Sequence, residues 1–287
     1  MKKILSILLA LIGVISLNAQ VLTIYKSGRV LYCTAYTDSI VATRALPNAA
    51  TVSAFAVSDN SYVCFSPGNL QYHIATDTWR FADYQYDYVA ADITDTTYTG
   101  WIDLFGWGTG NNPTNVEDAN SKFTDWGTNA IGTDVANTWR TLTLDEWLYL
   151  FQHTRWTLAR VNGILGFMLL PDSFETPVGL AVSILGDGNL TDASKNYSES
   201  DYSTNIYNSD EFVLLESAGA IFLPAAGARY DRILSACGQK GIYWTATTGT
   251  TKYAARYMSF NSTKALVSVN SHAARKYGYS VRLVRDL

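Results

Sequence analysis

The sequence is poor in the residues that carry most metal and redox chemistry. Its 287 residues include three cysteines, Cys33, Cys64 and Cys237, and three histidines, His73, His153 and His272. An odd cysteine count cannot complete a disulfide framework, and the spacing fits no zinc pattern, so three buried thiols are expected. Six prolines and 20 glycines exclude collagen-like and proline-rich chains. Charged residues reach 16% against 48% apolar, which excludes a disordered polyelectrolyte. A net charge of −4 argues against a nucleic-acid binder. After residue 17 no apolar run is long enough to span a bilayer. Aromatic rings are abundant instead, with 19 Tyr, 11 Phe and 8 Trp. Length and composition describe an aromatic-rich globular protein, large enough for a proper buried core.

Lys2 and Lys3, the apolar run Ile4 to Leu17 and the segment Asn18-Ala19-Gln20 read as a secretory signal over residues 1–20. The mature chain is then expected to be exported, to a periplasm, a cell surface or the medium. Residues 21–45 read as a short β-hairpin segment: Leu22, Ile24 and Tyr25 precede the turn Ser27-Gly28, and Val30, Leu31 and Tyr32 follow it. Another apolar pair stands at Ile40-Val41. Residues 46–287 form the main domain. Between Trp79 and Trp139 it is loop-like but studded with large rings, which predicts ordered loops pinned by their aromatics. Thr143 and Glu146 have capping-box spacing, and Leu144, Trp147, Leu148, Leu150 and Phe151 recur at helical period, which predicts a helix. Ile164 to Leu170 reads as a buried strand, and Phe212 to Ala218 as a short strand or helical turn. Strands are also predicted at Ile221 to Leu223, Tyr243 to Thr245, Tyr257 to Phe260 and Ser280 to Val284.

Several phrases carry a resemblance as a set. They are Phe65-Ser66-Pro67-Gly68-Asn69-Leu70-Gln71-Tyr72, Asp103-Leu104-Phe105-Gly106-Trp107-Gly108, Trp139-Arg140-Thr141-Leu142-Thr143 with Glu146-Trp147, Leu169-Leu170-Pro171-Asp172, Phe222-Leu223-Pro224-Ala225-Ala226-Gly227, and Gly278-Tyr279-Ser280-Val281-Arg282. From about Phe65 to Val284 the chain resembles exported proteins with a formylglycine-generating-enzyme-like variant of the C-type-lectin fold. The resemblance implies an α+β domain, with a small antiparallel sheet set in long ordered loops. In some such proteins a diversity-generating retroelement rewrites the C-terminal codons, so that the closing strands frame variable ligand-contacting residues. The namesake enzyme uses a pair of redox-active cysteines in its C-terminal half. Here Cys237 stands alone in Ser235-Ala236-Cys237-Gly238, so that activity is not expected.

The C-terminal stretch is basic by itself. From Tyr243 onward there are seven basic residues and one acid, Asp286, on an otherwise acidic chain. The excess either attracts an acidic partner or pairs internally with the body. The residues between the framework positions are Thr248, Thr250, Tyr253, Arg256, Met258, Lys264, Leu266, Ser268, Ser271, His272, Lys276, Tyr277 and Tyr279. Tyr, Arg, Ser and His suit an adaptable binding surface, so these thirteen are the candidate ligand contacts. By resemblance Tyr257 and Phe260 both belong to the frame, which strict alternation along one strand would need a bulge to allow.

Other chemistry is thin. Gly106-x-Gly108-x-Gly110 lacks Rossmann spacing, and no Gly-x-Ser-x-Gly elbow occurs. Asp187, Asn189 and Asp192 offer oxygen ligands for calcium but lack the glycine and final glutamate of an EF-hand. No other cofactor is indicated. The reading is an exported, non-enzymatic binder of a protein or glycan ligand. A structural or adhesive subunit of a surface assembly, or a cryptic enzyme, are the alternatives.

Overall fold

The computed structural model describes residues 21–26, 29–35, 40–44, 53–89, 97–116, 122–188, 194–195, 203–261 and 267–287. The predicted signal segment lies outside these residues. The chain divides into two compact units, 1–49 and 50–287. In the first, Val21–Lys26 pairs antiparallel with Arg29–Ala35, which pairs in turn with Ile40–Arg44. The expected hairpin is therefore a three-stranded meander, since the pair Ile40-Val41 belongs to a full third strand.

The second unit corrects the expected fold class. It is not an α+β domain with one small sheet but a β-rich fold of mostly antiparallel sheets, with five, four, four, three and two strands. Among the described residues there are two α-helices, α1 (Leu144–His153) and α2 (Ser209–Ser217). The physical reason is compositional. Apolar residues recur at helical period only over these two short stretches, whereas β-branched and aromatic residues dominate elsewhere. The five-stranded sheet is built on Arg155–Val161, Ile164–Leu170 and Ile221–Pro224. A four-stranded sheet runs Ser194–Lys195, Val267–Ala274, Ala254–Asn261, Lys240–Thr248. Another joins Phe55–Ser58, Ser61–Phe65, Leu283–Asp286 and Arg140–Thr141, so the last strand closes on one of the first.

Helix α1 forms where the sequence predicts it. Thr143 Oγ1 accepts from Glu146 N at 3.2 Å, and Glu146 Oε2 accepts from Thr143 N at 2.7 Å. Its buried face of Trp147, Leu150 and Phe151 packs on the five-stranded sheet, with Phe151 stacked on Phe167 at 5.1 Å. His153 closes the helix with Nδ1 2.9 Å from the Tyr149 carbonyl. Arg140 reaches Glu146 through two nitrogens, at 3.0 and 2.7 Å, and Asp286 through Nε at 2.9 Å. One carboxylate therefore serves both the helix cap and the closing sheet. Glu146→Ala is expected to cost about 2 kcal/mol, since a cap and a charged fork are lost together. Denaturant unfolding checks this: an unchanged midpoint would show that neither contact matters.

The rings of the loop-like region are pinned as expected. Trp79, Phe105, Trp107, Trp126 and Trp139 are buried. Trp107 Nε1 donates to the Thr245 carbonyl at 2.9 Å, and Trp244 Nε1 donates to the Phe105 carbonyl at 2.7 Å. This reciprocal lacing ties residues 105–107 to the strand Lys240–Thr248.

Candidate functional site

The strands Lys240–Thr248, Ala254–Asn261 and Val267–Ala274 place two rows of side chains on opposite faces. Cross-strand partners share a face. Trp244 pairs with Tyr257, and Tyr257 with Ser271. Tyr243 pairs with Met258 on the other face, where Arg256 pairs with His272. Ala254–Asn261 thus alternates regularly. Its register shifts fall in the neighbouring strands, between Trp244 and Thr248 and opposite Tyr257 and Ser259. The expected bulge is not needed to hold both Tyr257 and Phe260, because both faces of this strand are covered. Ala255, on one face, and Met258 and Phe260, on the other, are fully buried.

On the Trp244–Tyr257–Ser271 face the rings assemble into a cluster. The buried base is Trp244 and Tyr279, with centroids 4.4 Å apart. Above it stand three half-buried tyrosines. Tyr257 lies edge-on to Tyr279 at 5.3 Å, Tyr277 lies 6.4 Å from Tyr279, and Tyr230 packs edge-on against Tyr277 at 4.8 Å. Tyr279 is hydrogen-bonded to Tyr230, and Tyr257 to Ser271. Burial is the main cause that raises the hydroxyl pKa of both Tyr257 and Tyr279, so both are neutral phenols at neutral pH.

The segment that carries Tyr277 and Tyr279 is held rigidly. Arg229 and Gly278 exchange two backbone hydrogen bonds of 2.8 and 2.7 Å, and Phe105 and Tyr279 exchange two of 2.9 and 3.0 Å. Gly278 has no room for a side chain, since a Cβ would meet Arg229 Nε at 2.7 Å. Arg229 is itself buried, and Lys276 closes the edge with an ion pair to Asp231 at 2.6 Å.

The thirteen sequence candidates are not brought together as one surface. Tyr277, Ser271 and Lys276 belong to the tyrosine cluster or its edge. Arg256 and His272 lie on the opposite face. Thr248, Thr250 and Tyr253 are exposed around the turn after Thr248. Met258 and Tyr279 are corrections: they are 0% and 2% exposed and serve as core and base, not as ligand contacts. Lys264 and Leu266 lie outside the described residues, as does the side chain of Ser268. Sequence reasoning assigned Tyr257 to the frame and passed over Tyr230. Only the meeting of the hairpin Ala228–Tyr230/Ile233–Ser235 with residues 275–280 reveals them.

Two of the seven basic residues of the C-terminal stretch, Arg275 and Arg282, are internal. Arg275 is 4% exposed, lies 4.3 Å from the Trp107 ring and donates to the Ala254 carbonyl at 3.0 Å. Arg282 is 2% exposed and donates to Gln85 Oε1 at 2.7 Å. Burial pulls the Arg282 guanidinium down to about 10, which leaves it protonated at neutral pH. Lys252 and Arg285 are exposed, so the excess is internal only in part. The calcium candidates Asn189 and Asp192 lie outside the described residues, and Asp187 is exposed at a strand end. Among the described residues no three His, Cys, Asp or Glu side chains form a metal-holding group. Cys64 is buried and Cys237 half-buried, and neither forms a disulfide.

Among the described residues no helix is long and apolar enough to cross a membrane. The chain is similar to a family model described as a domain of unknown function, DUF8237, over residues 185–284. That span contains the whole tyrosine cluster. Comparison with curated proteins and with solved structures gave no match.

Proposed function

We propose that the protein is an exported, non-enzymatic ligand-binding protein whose recognition face is the tyrosine cluster of Tyr230, Tyr257 and Tyr277, with Ser271 and Lys276 at its edge. The observation that carries this reading is the set of half-buried rings on a rigid, buried base of Trp244 and Tyr279. Tyrosine gives large contact area with few rotors to freeze, and preorganised aromatic anchors dominate binding energy at interfaces. The raised hydroxyl pKa values favour stacking and neutral hydrogen bonding over acid–base chemistry. The motif resemblance to exported formylglycine-generating-enzyme-like proteins points to the same end of the chain, and the ligand class remains a protein or a glycan.

The test compares the wild-type chain with a Tyr230→Ser, Tyr277→Ser double variant on arrays of glycans and of exported proteins. Both substituted rings are partly exposed, so the variant is expected to keep its fold, checked by melting temperature. A ligand bound by the wild type and weakened about 30-fold or more by the variant supports the reading. The same ligand bound equally by both, or no ligand for either, overturns it.

A further inference from the structure

The tyrosine cluster runs into an open sheet edge. The strands Ala228–Tyr230 and Ile233–Ser235 pair antiparallel, with Tyr230 opposite Ile233 and Arg229 opposite Leu234. Only Asp231 and Arg232 join them, and Asp231 has the left-handed backbone, φ 54°, that such a tight hairpin turn uses. In a hairpin of this length the pair flanking the turn, Tyr230 and Ile233, exchanges hydrogen bonds. Bonded and non-bonded pairs alternate, so Arg229 and Leu234 exchange none. The inner side agrees. Arg229 commits both its N–H and its C=O to Gly278, at 2.8 and 2.7 Å, on the side away from Leu234. The N–H and C=O of Leu234 therefore point outward, past the last strand of this small sheet. Neither has a hydrogen-bond partner among the described residues.

The side chains at this edge continue the cluster. Cross-strand partners share a face, so Ile233 stands beside Tyr230. Ile233 is 67% exposed, and Tyr230 packs edge-on against Tyr277 at 4.8 Å. One aliphatic side chain and two phenol rings thus form a continuous row that begins at the free edge. Edges protected against pairing carry a charge, a proline or a bulge, and Ile233-Leu234-Ser235 carries none of these. A glycan gains little from an exposed isoleucine and has no strand-spaced backbone to pair with Leu234. An extended polypeptide satisfies both features at once. We propose that the ligand of the tyrosine cluster is an extended polypeptide segment, which adds as a strand to Ile233–Ser235. Its backbone bonds to Leu234, and its alternate apolar side chains lie over Ile233 and Tyr230. This assignment rests on the tyrosine cluster being the recognition face. The edge is three residues long, so the backbone bonds set the register and the rings supply most of the contact area.

The probe is a displayed library of random linear peptides selected on the full chain, followed by isothermal titration of synthetic copies of the selected peptides. These are expected to share apolar residues at every second position. Methylating their backbone nitrogens one at a time should weaken binding about tenfold at the nitrogen that faces Leu234, and little at its two neighbours. Leu234→Pro removes the outward N–H of the protein without breaking a ladder bond, and should weaken the same peptides about tenfold. Should Leu234→Pro fail to fold, the methylation scan needs no protein variant, and Ile233→Asp, at an exposed position, should also weaken binding about tenfold. Peptides weakened by the Tyr230→Ser, Tyr277→Ser double variant but indifferent to methylation and to Leu234→Pro overturn strand addition, and leave the cluster as the recognition face. Selection of no peptide overturns the polypeptide assignment, and a glycan weakened by the double variant would then keep the cluster as the site. Peptides bound equally by the double variant overturn both readings. Concentration-dependent dimerisation in sedimentation, abolished by Ile233→Asp, would give the edge to a second copy of the chain and overturn the proposal.

Discussion

Gly127→Ala is expected to cost about 4 kcal/mol or more and to leave the aromatic loop region poorly packed. The cause is backbone proximity, not backbone conformation. A Cβ at this position would overlap the Trp139 carbonyl oxygen and lie 2.5 Å from its carbonyl carbon. Neither partner can yield. Gly127 accepts from Asn137 N at 2.7 Å and donates to Asp125 Oδ1 at 3.0 Å, and the same Asp125 carboxylate accepts from Thr141 N at 2.9 Å and from Thr141 Oγ1 at 3.1 Å. The buried neighbours Trp126 and Trp139 would have to separate, opening a space that no side chain fills. Gly132→Ala is the control. A Cβ there meets nothing within 4 Å, so only its positive φ of 60° is strained, and the expected cost is about 1 kcal/mol. Denaturant unfolding of both variants reads the contrast, and equal midpoints would show that the close approach at Gly127 is not rigid.

That contrast also marks what the sequence could and could not disclose. Local signals were legible wherever one segment fixes its own geometry. The Thr143–Glu146 pair places helix α1, and the run Ile164 to Leu170 is a strand buried from Leu165 onward. Helix α2 was only half legible. Its cap is Asn208, whose side chain accepts from the backbone of Asp210 and Glu211, but its apolar face is short and reads equally as a strand. The balance of fold class was missed, because many strands here are two to four residues long and carry too few residues to show alternation. The burial of Met258 and Tyr279 was not legible for a related reason. Alternation along Ala254–Asn261 separates its side chains into two rows but does not disclose that core residues pack against both of them. Tyr230 stands 47 positions from Tyr277 in the sequence, and no local pattern joins them. The same holds for Arg275 and Arg282, whose charges suggest a surface until Trp107 and Gln85 are placed against them.

Asp103 should make the stability of the protein fall as pH rises toward neutrality, and Asp103→Asn should abolish that fall. The side chain is 1% exposed. Its Oδ2 accepts from Val89 N, while its Oδ1 has no hydrogen-bond partner among the described residues, which suits a protonated carboxyl better than a carboxylate. Burial pushes its pKa up to about 7, against the lowering effect of its backbone hydrogen bonds. The unfolded chain ionises this residue near pH 4. Between about pH 4 and pH 7 the unfolded state has lost the proton and the folded state still holds it, so each pH unit removes about 1.4 kcal/mol of stability. Above pH 7 both states are ionised, and the accumulated loss levels off at about 4 kcal/mol. At acid pH the full contribution is present. Asparagine reproduces the shape of the neutral carboxyl and keeps an acceptor for Val89, but it does not titrate. The variant should therefore match the wild type within about 1 kcal/mol near pH 4 and exceed it by about 4 kcal/mol near pH 8. Chemical unfolding of both chains at half-unit steps across this range measures the difference. Parallel curves would mean that Asp103 is ionised in the folded protein at low pH, with a partner for Oδ1 such as an ordered water, and the interior would then tolerate a charge that its geometry argues against.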